Sequence, residues 1–165
     1  MNLVSREGNL KTKLKLDETD VAILRLLQSD GRITNADLAR KVQLSPPSIL
    51  QRVRRLEDAG LVDRYVAILS APRLGYHITV YAQVSLQLHQ DQPIEAFRDA
   101  IGSIPQVMEC YHVSGEFDFL LKILVEDMGA YEALVREKLS TIKGVGKIQS
   151  CFVLGTAKHT TEVTL

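Results

Sequence analysis

The sequence predicts an α+β chain: a helix-turn-helix (winged-helix-like) amino-terminal half, then a carboxy-terminal βαββαβ half of ferredoxin-like pattern. Three observations predict it. A cap and an apolar staple recur at Asp17, Thr34 and Ser45, which marks three short helices in close succession. From Ile78 onward the apolar spacing switches from a helical period to a period of two, then alternates between the two. Between Arg40 and Arg55 stand Arg40, Lys41, Arg52, Arg54 and Arg55 with no acidic residue, in a chain whose net charge is zero.

Each of the first two caps has an aspartate three residues on, Asp20 and Asp37, a short-armed version of the capping box. The staple pairs are Leu16 with Val21, Ile33 with Leu38 and Leu44 with Ile49. The first helix runs to about Gln28 and is closed by Ser29-Asp30-Gly31; the second covers about Asn35 to Val42. Gln43 to Ser45 form the turn into the third, where Pro46 sits at a position whose N–H has no helical partner and Gly60 suits the left-handed residue that ends a helix. At ~100° per residue, Ile49, Val53 and Leu56 of this helix share one side. Pro47, Ser48, Gln51, Arg54 and Arg55 fall on the other, with Arg52 at the border.

Such a face suits duplex DNA. Arginine and lysine pair with phosphates, and Gln51, Ser48 or an arginine can reach base edges in the major groove. Taken alone, a basic face is more often merely solvated than DNA-binding, and it is the three-helix context that reverses the balance toward the nucleic acid. Asn35, Lys41, Ser45 and Pro47 are expected near the sugar-phosphate backbone, and Ser48, Gln51, Arg52, Arg54 and Arg55 toward the groove.

Arg64 to Leu69 is a short β-prone run ended by Ser70-Ala71-Pro72, a plausible linker strand. Ile78 to Leu88 alternates apolar residues with Thr79, Tyr81, Gln83, Ser85 and Gln87. Pro93 to Ile101 is an amphipathic helix closed by Gly102, and Val107 to Val113 a second strand. Ser114 to Asp118 turns the chain into a third strand, Phe119 to Val125. Met128 to Leu139 is a second helix and Lys147 to Leu154 a fourth strand. In this order both helices lie on one face of the sheet, so the other face is expected to be apolar and covered by self-association.

A chain of 165 residues with 45% hydrophobic content is long enough for one domain or two small ones. Residues 1–63 carry eleven basic and nine acidic residues, and residues 64–165 nine and eleven, so the halves stand at +2 and −2. That imbalance is too small for indiscriminate polyanion binding, and DNA affinity must come from the local patch in more than one copy. No apolar run approaches the ~20 residues of a membrane span, and Met1 to Lys15 alternates charges with isolated leucines, so a cytoplasmic protein is expected. Cys110 and Cys151 have no CxxC partner and are expected to be buried free thiols; His77, His89, His112 and His159 lack metal-site spacing. Neither a metal nor a cofactor is expected.

The runs Leu16 to Thr34, Leu38 to Ser45 and Arg52 to Val62 resemble the DNA-binding half of the Lrp/AsnC (leucine-responsive/asparagine-responsive) transcription regulators. The resemblance continues through Asp63 to Leu69 and Arg73-Leu74-Gly75, similar to that family's hinge strand, and covers roughly Leu16 to Thr164. It implies a DNA-binding domain over 1–63, a hinge over 64–75, and over 76–165 an ACT-like domain that binds an amino-acid effector and assembles a homodimer, with tetramers or octamers built from it. Ser114-Gly115-Glu116-Phe117-Asp118 is similar to the family's Gly-x-x-Asp effector turn. Ser114, Gly115, Glu116 and Asp118 are therefore candidate ligand contacts, with Ser140 and Thr141 as an opposite wall, although such a stretch is also an ordinary hairpin turn. The alternative is a sirohaem-decarboxylase-like enzyme on the same fold. Tyr111 and His112 are the side chains such an enzyme could recruit, but no paired carboxylates, nucleophile and base, or metal cluster accompanies them. A stand-alone amino-acid sensor would have no use for the helix grammar of the first 63 residues.

Overall fold

The computed structural model describes residues 14–87 and 91–165, with side chains from residue 94 in the second stretch. The expectations for the amino-terminal stretch through Lys13, for Leu88 at the end of the first strand, and for His89 fall outside these residues. The described residues divide into two compact units, 14–68 with 159–165, and those between 69 and 158.

In the first unit, α1 spans Glu18–Ser29, α2 Asn35–Val42 and α3 Pro46–Asp58. Asp17 caps α1 with a full reciprocal box: its side chain accepts from the Asp20 N–H at 2.8 Å, and its own N–H donates to Asp20 Oδ2 at 3.2 Å. The Thr34 box closes differently. Its hydroxyl accepts from the Asp37 N–H at 3.1 Å and donates to Asp37 Oδ2 at 2.6 Å, because the shorter aspartate arm meets the hydroxyl. Gln43 ends α2 in the left-handed conformation (φ 56°), a place glycine usually takes. Gly60 (φ 73°) ends α3, where the Leu61 N–H reaches back to the Leu56 carbonyl at 3.0 Å. Ile23, Leu24, Leu38, Ala39, Ile49, Val53 and Leu56 form the core.

The expected linker strand, Arg64 to Leu69, forms no helix or strand and pairs with no strand among the described residues. It leaves Val66, Ile68 and Leu69 about two-thirds exposed, at 67%, 69% and 69%. The Tyr65 hydroxyl donates to Glu57 Oε1 at 2.9 Å, which pins the start of this segment to the end of α3.

The second unit holds β1 (Ile78–Leu86), α4 (Asp91–Gly102), β2 (Val107–His112), β3 (Phe119–Val125), α5 (Met128–Glu137) and β4 (Val145–Phe152). All pairings are antiparallel in the order β2-β3-β1-β4, the ferredoxin-like arrangement. Helix α5 stops two residues before the expected Leu139, which begins a single 3-10 turn, Leu139–Thr141; β4 starts at Val145, two residues before the expected Lys147. Val80, Ala82, Val84 and Leu86 of β1 and Phe119, Leu121, Ile123 and Val125 of β3 pack against Phe97 and Ile101 of α4 and Tyr131 and Leu134 of α5.

Two expectations fail in this unit. The outer sheet face is mixed, not an apolar patch: Lys122 Nζ donates to Glu109 Oε1 at 2.7 Å and the Tyr111 hydroxyl to Glu109 Oε2 at 2.9 Å, between Leu120 and Leu124. A polar trio can sit there because each member satisfies another. Cys110 and Cys151 are exposed, not buried, since both lie on the outermost strands of the sheet.

Candidate functional site

The amino-terminal site is the solvent side of α3. Ser45 caps it, accepting weakly from the Ser48 N–H at 3.4 Å while the two hydroxyls share a 2.9 Å hydrogen bond. The first turn contains no acidic side chain, so the partial positive charge of the helix start is left uncompensated. With Ile49, Val53 and Leu56 buried, the opposite ridge consists of Pro47, Gln51, Arg54 and Asp58, flanked by Leu50 and Arg55; together these line one shallow surface depression.

The basic residues divide into held and free. Arg52 Nη1 bonds Asp17 Oδ2 at 2.7 Å and Asp20 Oδ1 at 2.8 Å, and Arg55 pairs with Asp20 Oδ2. Asp20 is fully buried; the Arg52 side chain is 29% exposed and that of Arg55 45%. Arg52 and Arg55 are therefore engaged by carboxylates: they clamp α3 to the start of α1, Arg52 half-buried and Arg55 still exposed on the helix surface. The Arg52 hydrogen bond first, then the Asp20 N–H, hold the Asp17 carboxyl below the usual carboxylate range, while the same carboxylates raise the Arg52 guanidinium. Arg40 pairs with Asp37, whose carboxyl is lowered chiefly by the Thr34 hydroxyl. The side chains of Arg54, Lys41 and Asn35 are exposed and make no hydrogen bond or ion pair with the described residues. Asp17 and Asp20 are the functional partners that sequence reasoning missed. Their spacing marked them as caps, and a capping carboxylate has lone pairs left for a second helix.

In the second unit the 113–118 turn is closed by the Val113 N–H donating to the Asp118 carbonyl at 3.0 Å. Asp118 Oδ2 accepts from the Leu86 N–H at 2.7 Å, so this carboxylate braces the turn against β1. Ser114, Gly115 (φ 130°) and Glu116 are exposed. Ser140 and Thr141 are exposed in the 3-10 turn, with the Thr141 hydroxyl donating to the Lys138 carbonyl at 2.8 Å. Leu86 bonds Asp118 and pairs with Val145, which places the turn and the start of β4 at the same end of the sheet. Tyr111 and His112 point to opposite faces of β2: Tyr111 meets Glu109, and the His112 ring stacks on Phe119 at 4.9 Å. They form no joint site. No three metal-ligating side chains converge among the described residues, and no helix there is long and apolar enough to cross a membrane.

Comparison with known proteins matches both units. Residues 16–63 fit the family model for a winged helix-turn-helix DNA-binding domain, and residues 79–163 the model for the Lrp/AsnC ligand binding domain. The chain is 38% identical to a leucine-responsive regulatory protein of Rhizobium meliloti over 93% of this chain and 98% of that one. It is 40% identical to the Bkd operon transcriptional regulator of Pseudomonas aeruginosa, over 85% and 92%. Among solved structures, a transcriptional regulator of Neisseria meningitidis in complex with L-Met superimposes with a TM-score of 0.87 at 38% identity, covering 91% of this chain and 97% of that one.

Proposed function

The chain belongs to the Lrp/AsnC family of DNA-binding transcription regulators, and on that premise we propose that it reads operator DNA with the ridge Pro47-Gln51-Arg54 of α3 and answers to an amino acid held near the 114–118 turn. The observation that carries the first half is Arg54: a guanidinium with no partner among the described residues, on a helix whose neighbouring arginines clamp it in place. Gln51 is the candidate base reader, with Leu50 beside it to cover a thymine methyl. Asn35, Lys41, Ser45 and Ser48 are assigned to phosphates, and Arg52 and Arg55 to holding the helix. We assign no catalytic residue.

For the effector, Ser114 and Gly115 are the contacts for a carboxylate, with Glu116 for an ammonium and Ser140 and Thr141 as the facing wall. Asp118 shapes the turn. L-Met, the ligand of the Neisseria relative, is the first compound to try. Assembly into at least a homodimer through the outer face of β1–β3 covers Leu120 and Leu124 and delivers two α3 helices to two half-sites.

The test is selection of bound duplexes from a random pool, followed by titration of the winning sequence. Arg54→Ala is expected to weaken binding to every sequence and lower the salt slope by about one. Gln51→Ala is expected to cost about 1–3 kcal/mol at one base pair only. If both variants bind as the parent does, the ridge is misassigned. Absence of any calorimetric heat with L-Met and the other amino acids, together with unchanged DNA affinity, refutes the effector role.

A further inference from the structure

Residues 159–165 pack with the DNA-binding unit although the chain reaches them only after completing the other unit. The contact is specific in form. The Gln28 carboxamide meets one residue twice: its Nε2 donates to the Val163 carbonyl at 3.1 Å and its Oε1 accepts from the Val163 N–H at 2.6 Å. A turn of α1 away, Arg25 Nη2 donates to the Leu165 main-chain oxygen at 2.5 Å. Just before them in the chain the Thr160 hydroxyl accepts from the Glu162 N–H at 3.0 Å, a local turn within the segment. Main-chain groups are being read as they would be in a sheet, by two side chains of a helix.

We propose that the outer edge of α1, through Arg25 and Gln28, is a docking site for the carboxy-terminal segment of this chain, and that this latch is the second of two chain connections governing the freedom of the DNA-binding unit. The first is the run 64–70, which belongs to no helix or strand. Three hydrogen bonds at an exposed surface are individually weak, and free peptide would not stay bound. The segment is tethered, however, so its effective concentration is of the order of millimolar and a weak contact is populated while remaining reversible. β4 leads into the latch and begins at the end of the sheet where the 114–118 turn lies, so a ligand there has a direct chain path to α1. The inference rests on the regulatory reading above and names its moving part. A closed latch restricts the orientations of α3, and an open one releases them.

The test compares the full chain with Arg25→Ala/Gln28→Ala and with a chain shortened after Lys158. Hydrogen exchange read by mass spectrometry is expected to be at least about fivefold faster in residues 64–70 of both variants, and in 159–165 of the double variant. Duplexes carrying two selected half-sites at graded spacings supply the second arm. The parent is expected to prefer one spacing by about tenfold and the variants to lose that preference, with single half-site affinity unchanged within about twofold. Equal exchange in parent and double variant, or an equal spacing preference, overturns the latch. A parent that selects no DNA sequence instead strikes the function proposed above, and the exchange comparison still decides the docking.

Discussion

Asp20→Ala is the substitution that most directly probes how α3 is held. The Asp20 carboxylate is fully buried and accepts from three directions: Arg52 at 2.8 Å, Arg55, and the Asp17 N–H at 3.2 Å. Breaking a buried ion pair by removing one partner typically costs about 3–5 kcal/mol. Here Arg52 keeps Asp17 at 2.7 Å, and both arginines retain some access to water, at 29% and 45%, so part of the loss is recovered. The expected destabilisation of the amino-terminal unit is about 2–3 kcal/mol, which for a unit of this size lowers its melting temperature by roughly 10 °C or more. Asp20→Asn is expected to be nearly as costly, because the amide turns an N–H toward a guanidinium. Urea denaturation followed by helical circular dichroism measures the loss, and the double variant Asp20→Ala/Arg55→Ala completes a cycle. A coupling of at least about 1 kcal/mol is expected. Additive losses, within about 0.5 kcal/mol, would mean that the clamp does not bear on stability and that Arg55 is free to bind DNA after all.

Three further outcomes follow from the same contacts. The Asp17 and Asp37 carboxyls are depressed in the folded chain, so the stability they contribute is full above the ordinary carboxylate value of about 4 and is lost as pH falls through their lower folded values. Acid titration of the helical signal should therefore show no loss from these groups between pH 5 and 8 and a fall below about pH 4, blunted in Asp17→Asn; a decline beginning near pH 6 would assign the transition elsewhere. Gly60 and Gln43 both occupy the left-handed region, so Gly60→Ala should cost about 1 kcal/mol although no atom lies within 4 Å of the added methyl, and Gln43→Gly should gain about 0.5–1 kcal/mol. Opposite signs in thermal melts check the pair. Burial and the Glu57 carboxylate push the Tyr65 hydroxyl up to about 12, so a late-ionising tyrosine should vanish from the ultraviolet titration of Tyr65→Phe.

The elements were legible where local chemistry decides them. Cap, staple and stop residues lie within a few positions of one another, so α2 and α3 fall where their sequences place them, and β3 occupies Phe119–Val125 as its apolar run indicates. The candidate site was only half legible. A helical wheel separates Ile49, Val53 and Leu56 from the solvent ridge, but it treats every arginine on that side alike. Asp17 and Asp20 lie more than thirty residues before Arg52 and Arg55, and their claim on these arginines arises only when α1 crosses α3. The outer sheet face was misjudged for a related reason: Glu109 and Lys122 read as isolated charges until the register sets them opposite each other.

The sequence by itself determined the order of elements, the boundaries set by caps and glycines, and the presence of a basic helix, because each depends on residues within about one turn of one another. Tertiary structure alone decided which of those cations remain available, since a guanidinium goes to whichever carboxylate packing brings within reach. It also decided that residues 159–165 return to α1, because a side chain that reads main-chain groups leaves no pattern in the segment it reads.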